Sequence, residues 1–143
     1  MNVKFVIILF IFVLQACSTG STKPPKPPEN LLSLSEAQMK IRSYQTRVFD
    51  ISDEEKSLHA VVSALMDLGF IVERVNVPMG IVTAAKFAGK GYVAFVEATV
   101  VVRPKGETQM EIRANALFNT KPIEDPKVYQ NFFATLQKSL FSI

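Results

Sequence analysis

The sequence contains no tryptophan, one histidine and one cysteine among its 143 residues. A single cysteine excludes an intramolecular disulfide framework, and one histidine with one cysteine excludes the common zinc ligand sets. An excess of charge of one sign is also missing, because 16 Lys and Arg stand against 13 Asp and Glu. Proteins that bind nucleic acids usually have a basic patch or stripe. We therefore expect no nucleic-acid partner, and the length favours a single domain.

Hydrophobic side chains are concentrated at the amino terminus. Residues 5–14 form an unbroken apolar run directly after Lys4. Ten helical residues span about 15 Å, half of a hydrocarbon core of about 30 Å, which is too short for a transmembrane helix. A positive residue followed by an apolar run of this length is typical of a secretory signal peptide. The sequence therefore predicts a signal peptide over residues 1–16.

Leu14, Gln15, Ala16 and Cys17 end the apolar run. This order resembles the lipobox of bacterial lipoproteins, in which a branched apolar residue and a small residue precede an invariant cysteine. Gln15 departs from that pattern, because it is larger and more polar than the usual residue. The resemblance implies cleavage between Ala16 and Cys17, and a lipid on the Cys17 sulfur. The alternative is an ordinary secretory signal in which the cysteine stands by chance.

By the same resemblance, Ser18 in place of aspartate implies sorting to the outer membrane of a Gram-negative bacterium. The expected membrane contact is the lipid on Cys17, because several acyl chains anchor a protein stably at about 0.8 kcal/mol per buried CH₂. Proline is the only apolar residue of 18–30. Residues 17–30 are therefore interpreted as the lipidated Cys17 followed by a tether. The tether is expected to be a polyproline II segment of up to about 40 Å that holds the domain in the periplasm. A proline-rich recognition ligand is the alternative interpretation.

Residues 31–143 show the patterns of one α+β domain. Ser33 and Glu36 have capping-box spacing, which predicts a short helix within residues 31–41. A longer helix is expected from the cap Ser52 to the stop Gly69, and a last helix after Asp125. Alternation and β-forming residues predict five strands, at 44–51, 70–77, 81–88, 92–103 and 109–119.

The turns between the last four strands are short, so these strands are expected to be antiparallel neighbours. Each of the two longer helices has one apolar stripe to bury. The predicted fold is therefore α+β, a curved antiparallel sheet of about five strands with two helices on one face, in the order β-α-β-β-β-β-α.

Residues with catalytic chemistry are few and dispersed. His59 lies at the edge of the first long helix and is interpreted as an exposed helical residue. The carboxylate pairs at 54–55 and 124–125 stand at helix amino termini, where capping and the helix dipole account for them. Neither a G-x-S-x-G elbow nor a phosphate-binding loop is present. The sequence therefore predicts a non-enzymatic protein that has no metal site and no cofactor.

The candidate partner-binding residues are four arginines on predicted strands: Arg47, Arg74, Arg103 and Arg113. If they share the open sheet face, they would meet an acidic partner or phosphate head groups. The competing interpretation is neutralisation across strands by three interspersed glutamates: Glu73, Glu97 and Glu111.

The domain contains YQTRxF at 44–49, LxDLGF at 65–70, GIVxA at 80–84 and DPxxYQxFF at 125–133. Together these segments resemble a family of small proteobacterial outer-membrane lipoproteins with no assigned activity. A looser similarity, a helix leading into L-x-x-x-G-F before strands, is to the helix-grip domains of the lipoprotein component C of the outer-membrane β-barrel assembly machine. That similarity implies binding rather than catalysis, and neither resemblance supplies functional residues.

The leading hypothesis is an outer-membrane lipoprotein whose periplasmic domain binds an envelope protein, as an accessory to an assembly or transport complex. Its contact would be the open sheet face or an edge strand. The alternative is a carrier for a lipid or other small apolar ligand held between the sheet and the last helix. Four small residues favour a cavity there, although they also suit close packing: Ala84, Ala85, Ala94 and Ala98. A hydrolase built around His59 is the third alternative.

Overall fold

The computed structural model describes residues 33–89 and 94–142. The predicted signal peptide (1–16), the predicted lipidation site at Cys17 and the predicted tether (17–30) lie outside the described residues. So do residues 90–93, which belong to the predicted turn at 89–91 and to the start of the strand predicted at 92–103. A compact unit runs from Leu34 to Ile143.

Three helices and six strands follow one another in the described ranges. They are α1 (Glu36–Tyr44), β1 (Thr46–Phe49), α2 (Glu54–Asp67), β2 (Ile71–Asn76), β3 (Ile81–Ala88), β4 (Ala94–Lys105), β5 (Gln109–Phe118), β6 (Lys121–Pro122) and α3 (Pro126–Ser142). The strands form one antiparallel sheet in the order β1-β5-β4-β3-β2, and β6 also pairs with β5. The predicted α+β class and antiparallel sheet are confirmed, and the sheet is not closed into a barrel.

The amino-terminal cap of helix α1 lies two residues after the predicted one. The Ser35 hydroxyl oxygen accepts a hydrogen bond from the Gln38 N–H at 3.2 Å, and Gln38 Oε1 accepts one from the Ser35 N–H at 3.0 Å. The capping box therefore uses Ser35 rather than Ser33, because glutamine closes the box as well as glutamate does. The helix continues to Tyr44, so the first strand is shorter than predicted and a helix precedes it.

The other two helices begin at acidic caps instead. Asp53, rather than the predicted Ser52, caps α2 by accepting a hydrogen bond from a backbone N–H at 2.9 Å. Asp125 does the same for the predicted start of α3, where Pro126 is the first helical residue. A carboxylate at these positions also interacts favourably with the positive end of the helix dipole.

The core lies on one face of the sheet. Val82 pairs with Val100, and Val102 pairs with Ile112, and all four side chains are buried. Because paired residues share a face, these strands bury a single apolar surface. The helices cover it with side chains that are also buried: Leu58, Val61 and Leu65 from α2, and Tyr129, Phe133, Leu136 and Leu140 from α3.

The connection between β2 and β3 depends on one glycine. A 3₁₀ turn, Val77–Met79, ends at Gly80, which has a φ of 63°. A Cβ at this position would overlap the backbone oxygen of Val102. Gly80 O also accepts the Val102 N–H at 2.8 Å, which attaches this turn to β4. Glycine is therefore required both by the left-handed backbone and by the close approach.

Candidate functional site

An apolar groove of about 320 Å³ lies between the sheet, α3 and the end of α2. It is partly open to solvent. Most of its lining is aliphatic or aromatic: Leu65, Leu68, Phe70, Val96, Ala98, Val100, Ala114, Ala116, Ile123, Val128, Tyr129 and Phe132. Three polar residues complete the lining: Lys86, Asn115 and Asn131.

The groove forms where the sheet presents small side chains to α3. Ala98 pairs with Ala116, and Val100 pairs with Ala114 on the same face. Three alanines side by side leave a volume that larger core residues would fill, since protein interiors are otherwise closely packed. Phe132 of α3 lines the opposite side. The space is therefore a consequence of side-chain size and strand register together.

The predicted small residues contribute unequally to this groove. Ala98 lines it, whereas Ala84 is buried in the core cluster. Ala85 pairs with Ile71 on the open face, so it faces away from the helices. Ala94 pairs with Ala88 at one end of the β3–β4 ladder and does not line the groove. Sequence reasoning missed Ala114 and Ala116, whose alternation marks them only as core residues.

Lys86 places a positive charge at the groove. Its ammonium donates a hydrogen bond to the backbone oxygen of Leu68 at 3.1 Å and lies 4.4 Å from the centroid of the Phe70 ring. Leu68 is the carboxy-terminal cap of α2, where the helix dipole favours a cation. The end of α2 therefore holds this half-buried lysine in place at the groove.

The beginning of α3 is fixed by a hydrogen-bonded network from α1. Tyr129 donates to the oxygen of Ile123 at 2.6 Å and accepts from Gln45 Nε2 at 3.0 Å. The Tyr44 hydroxyl donates to the oxygen of Glu124 at 2.9 Å. Desolvation raises the pKa of Tyr44, and the carboxylate of Glu124 raises it further. Because Ile123 and Tyr129 line the groove, this network also fixes one of its walls.

The four candidate arginines do not share one face. Arg47 lies on the helix-covered face, with its guanidinium 4.9 Å from the centroid of the Phe133 ring. Its register partner is the buried Ile112, so β1 alternation directs it toward the core. This placement corrects the premise that Arg47 belongs to an open-face basic set.

The other three arginines lie on the open face. Arg113 forms an ion pair of 3.2 Å with Glu111 and donates to Thr46 Oγ1 at 3.2 Å. Arg103 stands opposite Glu111 in the β4–β5 register, and Arg74 stands opposite Thr83 on the edge strand β2. Glu111 therefore neutralises Arg113 from within the same strand, β5, and not across strands as predicted.

The other reactive side chains remain apart from the groove. His59 is exposed on α2, and its Nε2 lies 3.9 Å from Glu55 Oε1 one turn earlier. Glu54 and Glu55 are in the first turn of α2, where their carboxylates interact with the positive end of the helix dipole. Within residues 33–89 and 94–142, no three His, Cys, Asp or Glu side chains converge as a metal site would need. No helix of the same ranges is long and apolar enough to span a membrane.

Comparison with known proteins identifies no family. No family model matches the sequence, and no curated protein matches it. One similar solved structure is the adenylate sensor from AMP-activated protein kinase in complex with 5-aminoimidazole-4-carboxamide 1-beta-D-ribofuranotide. It is 17% identical, with a TM-score of 0.47, over 68% of this chain and 95% of that chain. A likeness of this degree carries no argument, and the resemblance to small lipoproteins stays a prediction.

Proposed function

We propose that this protein is an outer-membrane lipoprotein, anchored through Cys17, whose periplasmic domain binds a small apolar ligand without catalysing a reaction on it. The observation that carries this proposal is the groove between the sheet and α3. Its volume of about 320 Å³ is at the lower end of the range of about 300–1,000 Å³ typical of small-molecule sites. Few polar groups and a mainly apolar lining are also typical of such sites.

The groove supports binding because it leaves apolar surface that a ligand would remove from water. Val96, Val128 and Ile123 are only partly covered by the fold, although they stand beside the buried core. Removing such surface from water is favourable by about 25 cal/mol per Å². The walls are already held by strand pairing and by the Tyr129 network, so a ligand would not need to order them.

Filling the groove is expected to weaken binding of a neutral apolar probe. Leucine at position 116 would occupy the space of about three ligand methylenes, at about 0.8 kcal/mol each, so Ala116→Leu should weaken 1-decanol binding at least tenfold. Amide NMR shifts of residues 18–143, which include the whole compact unit, report the affinity.

The matched control is Ala85→Leu, which makes the same change on the open sheet face. It should leave decanol affinity within twofold of the unchanged protein, and thermal unfolding should show that both variants fold. Two results would contradict the proposal: decanol that leaves the amides of the groove unshifted, or equal decanol binding by Ala116→Leu and the unchanged protein.

Protein binding through the open sheet face is a second candidate, and one observation favours it. Ile71 and Phe87 are 68% and 80% exposed. With Phe95 they line a shallow depression of about 250 Å³ on that face. Exposed aromatic side chains near a concave surface are typical of protein contacts. Under this candidate, the depression receives an apolar side chain of an envelope partner.

Phe87→Ser is expected to lower crosslinking to such a partner at least fivefold, since aromatic anchors in interfaces contribute about 2 kcal/mol or more. The measurement is in-cell crosslinking of the full-length lipoprotein, with adducts quantified by mass spectrometry. Phe141→Ser is the control, because Phe141 is similarly exposed, at 71%, but lies on α3. If both variants give the adducts of the unchanged protein, the second candidate is wrong.

A further inference from the structure

We propose that the ligand of the groove is a single-chain amphiphile of the fatty-acid type, whose carboxylate pairs with Lys86. This inference rests on the proposed function and adds the chemistry of the ligand to it. Of the described residues that line the groove, Lys86 is the sole charged one, and the lining includes no aspartate or glutamate. The charge of the site is therefore positive, and an anionic head complements it.

The Lys86 ammonium has unused hydrogen-bond donors. It makes one hydrogen bond, to Leu68 O, and the described residues provide no ion-pair partner for it. An ammonium group carries three N–H donors, so two remain for a ligand. Hydrogen bonds between a cation and a carboxylate are roughly twice as strong as neutral ones. The contact with Phe70 holds the group in position beforehand.

A neutral ligand is expected to bind this site with lower affinity than a carboxylate of the same chain length. Its chain would cover the half-buried ammonium and remove water from it, and a desolvated charge is costly unless it is paired. A carboxylate at the end of the chain supplies the pairing while the chain occupies the apolar wall formed by Ala98, Ala114 and Ala116. The volume of about 320 Å³ suits one acyl chain rather than two.

Lys86 also determines the local sign of the electrostatic potential. Its ammonium offsets the carbonyl groups at the end of α2, where the helix dipole is negative. Removing the lysine charge would leave those carbonyls facing a bound carboxylate. The loss should therefore fall on anionic ligands and spare neutral ligands of the same chain length.

The test compares decanoate with 1-decanol on residues 18–143 and on Lys86→Met, which keeps an unbranched apolar stem beside Phe70. We expect decanoate to bind the unchanged protein about tenfold more tightly than decanol, as a hydrogen bond to a charged group implies. Lys86→Met should remove that preference by weakening decanoate binding, while decanol binds at least as tightly as to the unchanged protein, because no ammonium is then desolvated. Lys86→Arg should restore most of it, and added salt should reduce it. Thermal unfolding verifies that both variants fold.

Three outcomes separate this inference from the function on which it rests. Equal affinities of decanoate and decanol for the unchanged protein would overturn the inference and leave the apolar groove in place. A decanoate preference that survives in Lys86→Met would also overturn it, because another group would then recognise the carboxylate. Failure of both probes to bind would overturn the proposed function and this inference together.

Discussion

The Cys17→Ser variant is expected to disappear from the outer-membrane fraction and to carry no lipid. The physical reason is that no other feature of the sequence predicts membrane attachment once the signal peptide is removed. A thioether-linked lipid needs sulfur, which serine lacks, and stable anchoring needs the apolar area of more than one acyl chain. The expected effect is complete loss rather than a partial shift. Density-gradient fractionation with radiolabelled palmitate measures both retention and acylation.

Two variants of the next residue control this experiment. Ser18→Ala leaves the cysteine in place, so it should be acylated and should stay in the outer membrane. Ser18→Asp should also be acylated but should move to the inner membrane, as the lipoprotein resemblance implies for aspartate after the cysteine. Outer-membrane retention of Cys17→Ser would refute lipid anchoring at this residue. Retention of Ser18→Asp there would refute only the sorting argument.

Periodicity was sufficient to predict the two long helices and the sheet. The stripe of α2, at Leu58, Val61 and Leu65, and the alternation of β5 each mark one apolar face. The residue at which each helix begins was harder to predict from the neighbouring sequence. Ser52 and Asp53 are both good caps, and only the path of the chain into α2 selects the aspartate.

The face of a short strand is harder to predict from sequence. In β1, the composition of four residues does not decide whether Arg47 or Val48 faces away from the helices. The observed register pairs Arg47 with Ile112, which places it toward the helices. That position is acceptable for a charge because the Phe133 ring lies against the guanidinium, a contact from a helix some 80 residues later in the chain. No local pattern near β1 contains that information.

The alternative hypothesis located a cavity between the sheet and α3, yet only Ala98 of its four small residues lines the groove. It needs Ala98, Ala114 and Ala116 to be neighbours, and two of them pair across strands only in the observed β4–β5 register. A shift of one residue would turn these side chains to the other face and close the space. Lys86 was likewise missed, because its partner Leu68 lies on another element. Non-local pairing therefore determines the candidate site more than any motif does.

Phe133→Ala is expected to lower the free energy of unfolding by about 3–5 kcal/mol, the usual cost of removing a buried phenylalanine ring. The ring is buried where α3 crosses the sheet. Its centroid lies 5.1 Å from that of Phe132 and 6.4 Å from that of Phe49, so truncation also removes aromatic contacts. Urea unfolding of residues 18–143, followed by circular dichroism, measures the change. Phe141→Ala, at an exposed position of the same helix, should change stability by less than about 0.5 kcal/mol.

The contact between Arg47 and the same ring is expected to stabilise the fold. In the unchanged protein, Arg47→Met should cost about 0.5–2 kcal/mol, the range of a cation–π contact that is partly removed from water. In the Phe133→Ala background the same substitution should cost almost nothing, because the ring it contacts is gone. If the two substitutions are simply additive, the contact does not stabilise the fold.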